Sequence, residues 1–201
     1  MEWEELADDK TVDETAGALR KRGFEVTVVD SGEDARNKVL EFIPKGAEVM
    51  HVSSTTLGEI GITKHLQESG EYDELGKRIR GIKDEKERNE LRKRSLGPEY
   101  VVGSVQAVTR GGQIMIASAT GSQISSYVFG AAHVVWVIST QKIVGNLDDA
   151  FKRIYEYALI RESERMQKAH GMSSSVNKIL IYERDKPGRV RIILVKERLG
   201  F

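Results

Sequence analysis

Short runs rich in β-branched residues alternate with capped helical patterns along this chain, and that alternation restricts its fold more than any other feature. Residues 24–29 (FEVTVV), 47–52 (AEVMHV) and 133–138 (HVVWVI) read as strands, the last of the fully buried type. Helical signals lie between the first of them. Thr11 with Glu14 three residues on fits a capping box, and Gly23 stops the helix it opens. Ser31 caps a second helix with Ala35, Val39, Phe42 and Ile43 on its buried face, and Pro44 lies just beyond its end. Thr56 with Glu59 forms another capping box, opening a helix toward Ser69. The order α-β-α-β-α at short spacing is the pattern of a layered α/β fold with a parallel component.

The second half is richer in strands. Residues 100–109 and 113–118 flank Arg110, Gly111 and Gly112, a good hairpin turn. A short helix follows with Ile124, Tyr127 and Val128 on one face. Asn146 caps a long helix with Phe151, Ile154, Tyr155 and Ala158 as its apolar stripe, and Gly171 follows its last turn. Past a serine-rich linker at 172–177, two strands at 179–182 and 189–195 are joined through Asp185, Lys186, Pro187 and Gly188, which predicts a β-hairpin at the C-terminus. Residues 71–97 are dense in alternating charge and poor in large apolar residues, which predicts an exposed, ion-paired helical excursion. We expect one domain over 1–201.

Charge and cysteine usage exclude several functions. Lys and Arg total 31, equal to Asp and Glu, so no basic excess marks a nucleic-acid binder. The acidic residues of 71–97 nearly balance its basic ones, so this segment gives nucleic-acid binding no support either. The chain has no cysteine, which rules out disulfides, thiolate nucleophiles and cysteine-ligated clusters within it. His51, His65, His133 and His170 show no metal-ligand spacing. We expect no metal and no cofactor. The acidic N-terminus lacks the apolar core of a secretory signal, and the longest apolar run is too short to span a bilayer. We therefore expect a cytoplasmic protein with no membrane contact.

Two strand-to-helix loops are the leading site candidates. Ser53, Ser54 and Thr55 precede a predicted helix, where free N–H groups and hydroxyls together suit a phosphate or carboxylate. Plain helix capping accounts for Thr56 and Glu59 equally well. Thr120, Gly121, Ser122 and Gln123 form the second loop, with Gly121 allowing close backbone approach; a capping box from Thr120 to Gln123 is the alternative. Gln106, Thr109 and Lys142 complete the set. Lys142 follows a buried-type strand, where its ammonium meets either an anion or solvent. No nucleophile elbow, Walker sequence or dinucleotide fingerprint is present, and no catalytic residue stands out.

Several stretches in fixed order resemble the lactate-utilisation (LUD) domain family: HVSSTTLGEIGI at 51–62, VGSVQAVTRGGQ at 102–113, ATGSQ at 119–123, Phe129 with Gly130, KIV at 142–144, LDDA at 147–150 and LVKERLGF at 194–201. The resemblance implies a three-layer α/β/α sandwich with an open, largely parallel sheet, similar to phosphosugar isomerases and CoA transferases. It also implies a link to lactate oxidation beside iron–sulfur partner proteins. Many members carry a cysteine-rich segment before the C-terminal strands; this chain has none at 168–177. The family motif has asparagine and arginine where this chain has Ser122 and Gln123.

These readings together lead us to expect a protein that binds a small anionic metabolite, in an accessory role in lactate or hydroxy-acid utilisation. The alternative is an autonomous transferase- or isomerase-type enzyme acting on a CoA thioester or a phosphosugar-like substrate. Homo-oligomerisation stays open.

Overall fold

The computed structural model describes residues 3–201. In chain order its elements are α1 (Asp9–Lys21), β1 (Glu25–Val29), α2 (Gly32–Phe42), β2 (Glu48–His51), α3 (Thr55–Glu59), α4 (Ile62–Glu68), β3 (Asp73–Glu74), α5 (Leu75–Gly81) and α6 (Glu85–Arg94). There follow β4 (Tyr100–Gly103), β5 (Ala107–Thr109), β6 (Ile114–Ser118), α7 (Ser122–Ser125), β7 (His133–Ser139), β8 (Ile143–Val144), α8 (Leu147–Arg153), α9 (Leu159–His170), β9 (Lys178–Tyr182) and β10 (Val190–Val195). A π-helical turn, Ser126–Gly130, extends α7, and another, Ile154–Ala158, joins α8 to α9.

Six strands form a parallel sheet in the order β1-β10-β7-β4-β2-β3. Both of its faces are covered, so its central strands are apolar on alternate positions of both sides. Val134, Trp136 and Ile138 of β7 and Ile192 and Leu194 of β10 face one core, with Val12, Ala16 and Leu19 of α1. Val135 and Val137, with Ile193 and Val195, face the other, against Ala35 and Val39 of α2 and Leu57, Ile62 and Leu66 of α3 and α4. Each such side chain contributes roughly 1.5–3 kcal/mol relative to exposure. The fold is thus the expected α/β type with a largely parallel sheet.

A second sheet, β8-β5-β6-β9, lies on the α1 side, and Val108, Ile114 and Ile116 share the core of that side. Ala150 of α8 and Ile154 cover its far face through Ala107 and Met115. The turn at 110–112 closes the β5–β6 hairpin, with Val108 opposite Ile114.

The expected C-terminal hairpin is corrected. Both strands and the turn between them exist, but β9 pairs antiparallel with β6, whereas β10 lies in parallel between β1 and β7. The connection is held by its own local contacts, the carboxylate of Asp185 pairing with Arg189 and accepting from the Tyr182 hydroxyl, while the two strands join different sheets. Two capping readings also change. Asp8, not Thr11, caps α1 by accepting from the Thr11 N–H at 2.7 Å. Ser54 caps α3, and Glu59 accepts from the Gly200 N–H at 2.6 Å rather than returning to the helix start. Ser31 and Asn146 cap α2 and α8 as read.

Candidate functional site

The single stretch read as a strand over 100–109 is two strands. β4 ends in the parallel sheet at Gly103, and β5 begins in the second sheet at Ala107. Residues between them cross from one sheet to the other, and a cavity of about 950 Å³ opens there. Its floor is the carboxyl ends of parallel strands, the usual ligand position in open α/β sheets. Met50 to Thr56 leave β2, Ser104 to Gln106 leave β4, and Lys142 lies in the 3-10 turn after β7. Both π-helical turns reach its wall, through Ser126 and Tyr127 and through Ile154 and Ala158; such turns often occur at functional sites.

Lys142 is 2% exposed and still lines the cavity. Its Nζ donates to Thr56 Oγ1 and to Ser104 Oγ, each at 3.1 Å. Among the described residues it forms no ion pair with a carboxylate. Burial, reinforced by the positive charge of Arg153 and only partly opposed by Glu59, brings its pKa down to about 7. Arg153 is itself fully buried on the inner face of α8 and donates to the Gln106 carbonyl. Among the described residues its Nε and Nη2 have no hydrogen-bond partner, and burial lowers its pKa to about 10. Two buried cations without a carboxylate partner make a strongly electropositive region. The low dielectric of the protein wall in which both side chains are buried strengthens their attraction for an anion.

Neutral polar groups surround them. Thr55 Oγ1 and the Tyr127 hydroxyl are buried and, among the described residues, have no hydrogen-bond partner. The Tyr127 hydroxyl packs where a Cβ on residue 103 would stand, so glycine at the end of β4 is what admits it. Burial raises its pKa, keeping it protonated as a donor. Nearby, His51 Nδ1 lies 3.0 Å from Glu74 Oε1, and His51 Nε2 lies 3.1 Å from Gln67 Nε2. Burial raises the Glu74 pKa, but the His51 contact and the N–H groups of Lys77 and Gly76 outweigh it and hold the carboxyl below its usual range. The mouth carries Arg92 and Lys93 of α6 and Arg165 and His170 of α9, with Glu162 paired to Arg165 at 2.6 Å.

Of the residues singled out from sequence, Ser53, Ser54, Thr55, Gln106, Thr120, Ser122, Gln123 and Lys142 line this one cavity. The two candidate loops therefore meet. Thr109 does not join them: it is fully buried at the β5–β6 turn, where its Oγ1 accepts from the Gln113 N–H at 3.0 Å. Gly121 lies behind the wall with φ of 87°, and a Cβ there would press on the Lys178 side chain. The Thr120-to-Gln123 capping box is not formed. Thr120 Oγ1 instead contacts Ser122 Oγ at 3.1 Å, and Gln123 Oε1 accepts from Ser118 Oγ. Sequence reasoning missed Ser104, Tyr127, His51 and Arg153. Arg153 alone carried a signal, a cation three residues after Ala150 and beside Ile154 on the apolar face of its helix.

Among the described residues no group of histidines and carboxylates is placed to hold a metal ion, and no helix is long and apolar enough to cross a membrane. A family model described as LUD domain matches residues 12–195. The crystal structure of a DUF162 family protein from Deinococcus radiodurans has a TM-score of 0.57 to this chain at 9% identity, covering 95% of this chain and 99% of that one. Ribose 5-phosphate isomerase A from Neisseria gonorrhoeae has a TM-score of 0.41 at 14% identity, covering 84% and 94%. No curated protein matches the chain.

Proposed function

The chain belongs to the LUD-domain family, tied in general to lactate utilisation, and from that premise we propose that it binds a small anionic metabolite of hydroxy-acid utilisation in this cavity, in an accessory role. One observation carries the reading. Lys142 is buried in the cavity wall beside buried Arg153, and among the described residues neither forms an ion pair with a carboxylate. A buried charge is normally paired, so a site that gathers two without a counter-ion is short of one. A bound carboxylate or phosphate supplies it, with Thr55 Oγ1 and the Tyr127 hydroxyl as neutral donors. The accessory role fits a chain without cysteine, whose redox centres would reside in iron–sulfur partner proteins.

Cavity size favours a second reading. A volume of about 950 Å³ with Arg92, Lys93 and Arg165 at the mouth has room for more than a three-carbon acid. A CoA thioester or a sugar phosphate would place one charged end at Lys142 and another at those arginines, as a transferase- or isomerase-type enzyme requires. Thermal shift against lactate, pyruvate, sugar phosphates and acyl-CoA separates the two. At about one hundred times its dissociation constant a ligand adds about 2.7 kcal/mol of stability. We expect a shift with a small carboxylate, lost in Lys142→Met. A shift with acyl-CoA alone, lost in Arg92→Ala, would replace the first reading with the second.

A further inference from the structure

We propose that Lys142 is a nucleophile that forms an imine with the carbonyl carbon of an anionic 2-oxo acid in this cavity. This rests on the ligand-binding reading above and names its substrate class.

Three observations carry it. First, the amine reaches the cavity from inside the protein wall, and among the described residues no carboxylate is in ion-pair contact with it. A lysine with a purely structural role in a core is normally paired. Second, its surroundings favour the neutral amine, because burial and the neighbouring Arg153 both oppose protonation. Lysines desolvated beside another cation are the ones that attack carbonyls. Third, its two hydroxyl partners differ. Thr56 Oγ1 lies 3.4 Å from the Leu199 carbonyl, to which it gives its hydrogen, so toward Nζ it is an acceptor. Among the described residues Ser104 Oγ bonds only Nζ and can either accept from it or donate to it. A neutral amine that donates to both keeps its lone pair for the cavity. Ser104 is then placed to relay the proton.

The chemistry balances with no redox partner. The Nζ lone pair attacks the carbonyl carbon, and the C–N bond forms as the carbonyl π pair moves to oxygen. That oxygen takes a proton, by relay from the amine, to give a carbinolamine. The hydroxyl then takes the remaining amine proton, again through Ser104, the C–O bond breaks as water leaves with its electron pair, and the nitrogen lone pair closes the C=N bond. If the nitrogen keeps a proton, the ligand's own carboxylate offsets the charge, and attack by water reverses the sequence. A 2-hydroxy acid has no ketone carbonyl, and its carboxylate does not form an imine, so it cannot react. The site would thus distinguish the oxidised from the reduced member of such a pair by a covalent bond.

The test uses the full chain with pyruvate and cyanoborohydride, which reduces an imine to a stable secondary amine, followed by intact mass and peptide mapping. Lactate and ribose 5-phosphate run in parallel, and thermal shift is read on the same samples. We expect one adduct per chain with pyruvate, located at Lys142, absent with lactate and absent in Lys142→Met. Mapping the unsubstituted chain decides the position even if that variant fails to fold. The adduct rate should level off above pH about 7, whereas an ordinary lysine would keep gaining rate toward about 10.4. A thermal shift with pyruvate and no adduct overturns the imine and leaves the binding reading standing. Neither shift nor adduct overturns both. Adducts spread over surface lysines overturn the assignment to Lys142. An adduct at Lys142 with ribose 5-phosphate but not pyruvate overturns the 2-oxo acid and supports the nucleophile.

Discussion

Lys142 must fold into a place where it is almost wholly buried and, among the described residues, has no carboxylate paired to it, and that makes its contribution to stability depend on pH. In the unfolded chain lysine titrates near about 10.4, and in the fold near about 7. Between those values the unfolded chain binds more protons, so the parent protein gains stability as pH rises through this window. The penalty is fully present below pH 7, where the buried amine is charged. Comparing Lys142→Met with the parent should therefore show a stability difference that moves in the parent's favour from neutral to alkaline pH. A shift of roughly three pH units sets an upper bound of about 4 kcal/mol on that change. Urea midpoints at several pH values read it directly, and a pH-independent difference would mean that Lys142 is not desolvated. The residue was legible in the sequence as a lysine after a buried strand. Its burial was not, because burial depends on α3, β4 and α8 arriving from other parts of the chain.

Elements hold the site in place through groups that local sequence does not reveal. Arg189, just before β10, donates to the Tyr127 carbonyl at 2.8 Å and the Ala131 carbonyl at 3.1 Å, and pairs with Asp185. It thus satisfies carbonyls that the π-helical turn after α7 leaves open, and holds Tyr127 at the cavity wall. Arg189→Met should destabilise the protein by about 3–5 kcal/mol, since it removes the cation from the half-buried Asp185 carboxylate and the donors from several carbonyls. Arg189→Lys should recover only part of this, because one ammonium cannot reproduce the fork of donors. Chemical denaturation of the two variants checks both statements. The second π-helical turn explains a misread stripe: Phe151 is 37% and Tyr155 48% exposed, while Ala150, Arg153, Ile154 and Ala158 face inward. Apolar spacing alone could not rank a tyrosine against an arginine for the inner face. The buried Gln106 carbonyl that selects the arginine lies 47 residues away.

At the scale of the molecule, the chain crosses between its two sheets more than once. β4 to β5 crosses at the cavity, and β9 to β10 crosses at the C-terminus, so neither sheet is built from one continuous stretch. We expect the two sheets to unfold together. Trp136 is buried in the core between α1 and the parallel sheet, and Trp3 packs against the outer face of the second sheet. In urea, fluorescence of Trp3→Phe, which reports Trp136 alone, should share its midpoint with far-UV circular dichroism of the same variant. Separate transitions would mean two independent units. What the sequence determined by itself was the identity of most elements, through alternation in β1, the continuous apolar run of β7, helical spacing in α2, and the caps Ser31 and Asn146. These depend on neighbours within a few residues, so a local pattern records them. Only the tertiary structure decided which strands pair, that two polar loops share one cavity with Lys142, and that its amine is left without a counter-ion. Those outcomes depend on groups brought together across most of the chain, and strand propensity is the same whichever sheet a strand joins.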